Sequence, residues 1–142
     1  MSTSPSHDPI DALNQVLSEV IDMVQDVKQA HVKIPETQAL HAELDRLFTD
    51  LKTWARLLIE QDDVLGVSPL ASMPTVAGRT PANLWPGNTT DEEVRRFVGE
   101  HLDRLEHHVA AAVQAQNDPR SRAILAEVQL GLLAHRRALG EP

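Results

Sequence analysis

From Leu13 onward, apolar residues return every third or fourth position, at Leu13, Val16, Leu17, Val20, Val24 and Val27. That period predicts an amphipathic helix continuing to His31. Asp8-Pro9 opens it, because proline suits the first helical turn, and Lys33-Ile34-Pro35 closes it, because a residue before proline avoids the α region. A second helix is expected from about Glu36 to Leu65, with Leu40, Leu44, Leu47, Leu51, Ala55 and Leu58 as its apolar stripe and Gly66 as its stop. The pattern then breaks between Val67 and Thr89, where Pro69, Pro74, Pro81 and Pro86 fall. A connection of that length is expected to hold something of its own, here a short helix near Ala71–Ala77. Thr90, followed by Asp91, Glu92 and Glu93, is a capping-box start with an acidic first turn. Val94, Val98, Leu102, Leu105, Val109 and Val113 carry the third long helix. Asn117-Asp118-Pro119 ends it and caps a fourth, with Ile124, Val128, Leu132, His135 and Leu139 along one stripe.

Four long helices with one long connection between the second and third predict an all-α, ferritin-like four-helix bundle. It forms a single domain over residues 8–142, behind a short disordered tail at 1–7. No repeat or low-complexity tract interrupts it. Composition agrees: 42% of residues are apolar but only 3% aromatic, and tyrosine is absent. A core of Leu, Ala and Val suits helix-on-helix packing better than a sandwich or barrel.

Cysteine is absent, which excludes disulfides and thiolate metal sites. Any metal must be held by histidine and carboxylate, a donor set that favours iron, manganese or zinc. The net charge of −8, with no Lys or Arg before Lys28, argues against a general affinity for nucleic acid. No apolar run reaches the length of a membrane span, and Met1-Ser-Thr-Ser-Pro-Ser-His-Asp lacks the regions of a signal peptide, so the chain reads as cytoplasmic.

At about 100° per residue, His41, Asp45, Arg56 and Glu60 share one polar strip of the second helix. His31 comes near His41 across the turn between the first two helices. Two imidazoles and two carboxylates are a workable metal set, but on spacing alone a strip of this kind reads more readily as a solvated face. On the third helix Glu100, His101, Asp103, Glu106, His107 and His108 form a second cluster, in which Asp103 and His107 have the spacing of a two-residue metal clip. No Glu-x-x-His motif occurs there, and a solvated, salt-bridged face is the better reading. His135, on an apolar stripe, reads as a satisfied core or interface histidine.

The segments Lys28-Gln29-Ala30-His31, Leu40-His41-Ala42-Glu43-Leu44-Asp45, Glu60 and Leu65-Gly66 resemble the KQxHW, LHxxLD and AER…LGG pattern of the DNA-protection-during-starvation (Dps) mini-ferritins. Thr75-Val76-Ala77, Thr80-Pro81 and Trp85-Pro86 continue the resemblance through the crossover, and Asp118 to Val128 is similar to the family's closing helix. The resemblance covers nearly the whole chain from Leu13 to Leu139.

It implies a homo-oligomer, a dodecameric cage built from two-fold dimers. The cage would oxidise Fe(II) at iron centres, di-iron or mononuclear, on the two-fold interfaces, with hydrogen peroxide as the preferred oxidant, and store ferric mineral against oxidative stress. Carried over position by position, His31, His41 and Asp45 are ligands from one subunit and Glu60 comes from its neighbour. His31 and Glu60 would be the main ligands, with His41 and Asp45 weaker or water-bridged. The remaining ligand position, an Asp in the family, is Arg56 here. Arginine offers only donors and a fixed positive charge, and it can pair with Glu60 one turn on. The family's Trp after the first His is Val32, and its Trp near the end of the last helix is Arg137. Arg122 falls where many relatives carry an acidic residue near the iron-entry pore. These departures keep open an alternative: a Dps-like cage without ferroxidase activity, acting as a structural or regulatory assembly. DNA binding is not expected of a chain lacking a basic tail.

Overall fold

The computed structural model describes residues 8–35, 38–67 and 90–140. The expected tail at 1–7 and short helix near Ala71–Ala77 lie outside the described residues, as do the crossover motifs at Thr75, Thr80 and Trp85 and the predicted helix start at Glu36. The described residues form four helices and no strand: α1 (Pro9–Lys33), α2 (Ala39–Val64), α3 (Asp91–Ala115) and α4 (Pro119–Ala138). At about 1.5 Å per residue each is roughly 30–39 Å long.

Three of the four start on a side-chain cap. Asp8 Oδ1 accepts from the amides of Ile10 and Asp11. Thr90 and Glu93 close a reciprocal capping box, and Asp118 Oδ2 accepts from Ser121 N at 2.8 Å. Each of these occupies amides that the first turn leaves without an intrahelical partner, an effect worth about 1 kcal/mol. Gln38 caps α2 through its backbone alone. α2 thus starts at a position without the side-chain cap that marks the other three. Its far end closes in a Schellman turn: Gly66, at φ 76°, donates to Asp63 O and Val67 donates to Asp62 O. Glycine takes this left-handed conformation without strain.

α1 packs against α2 and α3, and α4 packs against the same two helices. Contacts between side chains fix the directions. Glu19 meets His108 and Asp26 meets His101, so α1 and α3 are antiparallel. Asp50 meets His135 and Gln61 meets Ser121, so α2 and α4 are antiparallel too. His31 beside His41, and Ile21 and Val24 beside Arg56 and Ile59, make α1 and α2 antiparallel as well; α2 and α3 therefore run the same way, and the end of one lies at the opposite end of the bundle from the start of the other. This up-down-down-up order is the connectivity of ferritin-like bundles with one crossover.

Leu13, Leu17, Leu44, Leu51, Leu58, Leu102, Leu105, Leu125 and Leu132 fill the axis, each fully buried. Burial of one such side chain contributes about 1.5–3 kcal/mol. Trp54 joins them although it lies beside the expected stripe, where Ala55 is only partly buried. Its ring lies over Gly131, where an added Cβ would fall 2.2 Å from Trp54 Cζ2. Only a residue without a side chain lets α4 approach the ring this closely.

Candidate metal centre

The end of α1 and the start of α2 meet at one corner of the bundle. Pro35 turns the chain there, Ile34 is extended at φ −102°, ψ 128°, and the turn brings His31 beside His41 with ring centroids 3.9 Å apart. His41 Nδ1–H donates to the carbonyl of Ile34 at 2.9 Å. That bond assigns the proton to Nδ1 and leaves the Nε2 lone pair of a neutral ring available, the tautomer that a metal ligand requires. His31 Nε2 is buried, makes no hydrogen bond among the described residues, and lies 3.7 Å from Asp45 Oδ1. Asp45 stands one turn after His41, with its side chain 65% exposed. The corner thus joins two imidazoles and a carboxylate, three of the four residues singled out from the sequence.

Glu60 is not part of this corner. It lies fifteen residues beyond Asp45 along α2, on the order of 22 Å away. With Arg56 it lines a groove of about 320 Å³ between α1 and α2, floored by Ile21, Val24, Ala55 and Ile59. Arg56 and Glu60 are both exposed. The expected i,i+4 pair between them does not form, and neither makes an ion pair with any described residue. Ile59, 41% exposed, stands between these unpaired charges.

The second sequence cluster divides in two. His101 and His108 turn towards α1: His101 Nδ1 lies 3.3 Å from Asp26 Oδ2, and His108 Nδ1–H donates to Glu19 Oε1. Burial pushes the Glu19 carboxyl above its ordinary pKa, and His108 offsets part of that rise. These two histidines belong to a helix seam and not to the solvated face expected of them. Asp103, Glu106 and His107 face α4, near enough together to share one cation. Arg136 of α4 already stands among them, 3.2 Å from Asp103 Oδ1 and 3.4 Å from Glu106 Oε2. A guanidinium supplies there the charge a cation would bring, so the group ties α3 to α4. His107 is fully exposed, and its bond to the Asp103 carbonyl raises its pKa.

Three other placements bear on the sequence reading. Arg122 donates to Gln116 O at 3.2 Å, closing the end of α3. Val32 is 77% exposed. His135 is held by Asp50 Oδ2 at 2.7 Å and by the edge of Trp54.

No helix among the described residues is long and apolar enough to cross a membrane. No protein-family model matches the chain, and no curated protein matches it either.

Proposed function

We propose that this four-helix bundle binds Fe(II) at the α1/α2 corner, oxidises it with hydrogen peroxide and retains the ferric product within a homo-oligomeric cage of the Dps mini-ferritin kind. The observation that carries the reading is the His31–His41–Asp45 corner, with the His41 tautomer fixed by Ile34 and a buried His31 nitrogen that makes no hydrogen bond with any described residue and lies 3.7 Å from Asp45. Glu60 completes the ligand set from a second copy, because within one chain it lies about 22 Å away. A mixed imidazole–carboxylate set suits a divalent ion of iron's class. Two Fe(II) ions each give one electron to a peroxide, whose O–O bond breaks. With two waters taken up, the products are two ferric oxyhydroxide units and four protons. The chain's acidic balance keeps the cage electrostatically attractive to Fe(II).

The test is anaerobic loading of the purified protein with Fe(II), followed by peroxide. Consumption of peroxide well above the protein-free rate, with ferric iron staying in solution, is the expected result. Background consumption with precipitation would overturn the reading.

Arg56 favours a second reading, a cage without efficient ferroxidase activity that serves as a scaffold. A fixed cation in the groove with Glu60 weakens any dication site by repulsion and by the loss of a donor. In that case Arg56→Asp raises the iron oxidation rate by at least about tenfold, and a rate unchanged by the substitution counts against Arg56 as the cause.

A further inference from the structure

The groove between α1 and α2 carries a charge at odds with the chain around it. Its floor is apolar, with Ile21 and Val24 of α1 against Ala55 and Ile59 of α2. Its charged wall comes from α2 alone, where Lys52, Arg56 and Glu60 follow one another turn by turn. Two cations thus stand over the floor for one anion, in a chain whose net charge is −8. Arg56 and Glu60 have no ion-pair partner among the described residues, and Lys52 meets only the Phe48 ring, 5.1 Å away. Gln25 adds a side-chain amide from the α1 side. Lys52 and Glu60 are roughly 12 Å apart along the helix, so the groove is positive at one end and negative at the other. An apolar floor that faces water is unfavourable, and the two cations above it have no charge of their own chain to meet. One kind of molecule answers both: an alkyl chain ending in a single carboxylate.

We propose that this groove binds the anion of a medium-chain fatty acid, its carboxylate held by Lys52 and Arg56 and its alkyl chain laid along Ile59 and the α1 wall. The inference does not rest on the iron-binding reading. Arg56 offers the carboxylate a planar fork of donors, Lys52 a point charge, and the Gln25 amide a further donor. The chain covers apolar surface on both helices, and each methylene taken fully out of water strengthens binding by up to about fourfold. Glu60, at the far end, repels a second carboxylate, so the groove selects monoanions over dicarboxylates. At about 320 Å³ it lies at the small end of ligand pockets, a size for one unbranched chain.

The experiment is calorimetric titration of the full chain with hexanoate, octanoate and decanoate, in chelator and below the concentrations at which they form micelles. Saturable binding of about one decanoate per chain is expected, with affinity rising about two- to fourfold per methylene along the series. Decanol, decyltrimethylammonium and the ten-carbon dicarboxylate are each expected to bind at least about tenfold more weakly than decanoate. Arg56→Gln should weaken decanoate binding about tenfold, and Ile59→Asp should abolish it. These positions face solvent, and circular dichroism checks that each variant keeps its helices. Methyl resonances of Ile21, Val24 and Ile59 should shift on saturation, which locates the bound chain. Uptake that never saturates, equal binding of decyltrimethylammonium, or full decanoate binding in the Lys52→Gln, Arg56→Gln double variant overturns the site. So do methyl shifts confined to residues outside the groove. A groove already filled by a second copy of the chain would leave decanoate unbound, and that result overturns it too.

Discussion

In the α1/α3 seam each imidazole meets its own carboxylate across a pair of helices, His101 with Asp26 and His108 with Glu19. At the α1/α2 corner the two imidazoles lie against each other, His31 with Asp45 3.7 Å away and His41 bonded to the carbonyl of Ile34. The residue types are the same, and each place leaves a buried imidazole nitrogen without a hydrogen bond, His101 Nδ1 in the seam and His31 Nε2 at the corner; the difference lies in the carboxylate each one faces. A one-to-one pair between packed helices spends its charge within the fold, and Asp26, only 5% exposed, is far from water. At the corner the carboxylate is open to solvent, so a ligand can reach it. What separates the two places is therefore the exposure of the carboxylate that each imidazole faces, 8% for the side chain of Asp26 and 65% for that of Asp45.

The comparison breaks most visibly at Asp26. Asp26→Ala removes a buried carboxylate facing His101 and is expected to cost about 2–4 kcal/mol in denaturant unfolding while Fe(II) affinity per folded chain is unchanged. His41→Ala is the converse. Fe(II) affinity should fall about 10–100-fold, equivalent to about 1.4–2.7 kcal/mol, with the unfolding midpoint nearly unmoved. A loss of fold stability as large as that of Asp26→Ala would show the corner to be structural after all.

Asp62 sharpens the contrast through pH. It is fully buried near the end of α2, and burial lifts its pKa from 3.8 to about 6. A raised acid pKa means that the folded state holds the proton more tightly than the unfolded chain. Its contribution therefore favours folding at low pH, declines as pH rises from 3.8 to about 6, and is a constant penalty above. Asp62→Asn is expected to flatten that part of the stability–pH profile and to stabilise the protein at pH 7 by on the order of 1–2 kcal/mol. Thermal melts of both proteins across that range check it. Smallest of all on the fold is Glu60→Gln, an exposed position, within about 0.5 kcal/mol in the same melts, although Fe(II) affinity drops with it.

The helices themselves were legible because burial of one face leaves a three-and-four period, and because Asp8, Thr90 and Asp118 announce their starts chemically. α2 lacks such a residue at Gln38, so its start carries no chemical signal of that kind. The same period could not say which neighbour a face meets. His101 and His108 are seven residues apart, a spacing equally suited to a solvated edge and to a helix seam, so their pairing with Asp26 and Glu19 emerged only with the packing. Trp54 was missed for a related reason: its burial depends on Gly131, seventy-seven residues away, being small enough to receive the ring. At the corner, His31, His41 and Asp45 were singled out by a motif and lie near one another, but the role of Ile34 as acceptor for His41 carries no side-chain signal at all. Arg122, singled out for its charge, proved to have a partner in the carbonyl of Gln116.

The most direct test of the central claim is an anaerobic Fe(II) titration of three proteins side by side: wild type, His41→Ala and His101→Gln. The account predicts saturable binding in wild type and in His101→Gln, and its loss in His41→Ala. Binding that survives His41→Ala but fails in His101→Gln would move the metal to the α1/α3 seam and contradict the assignment of the corner.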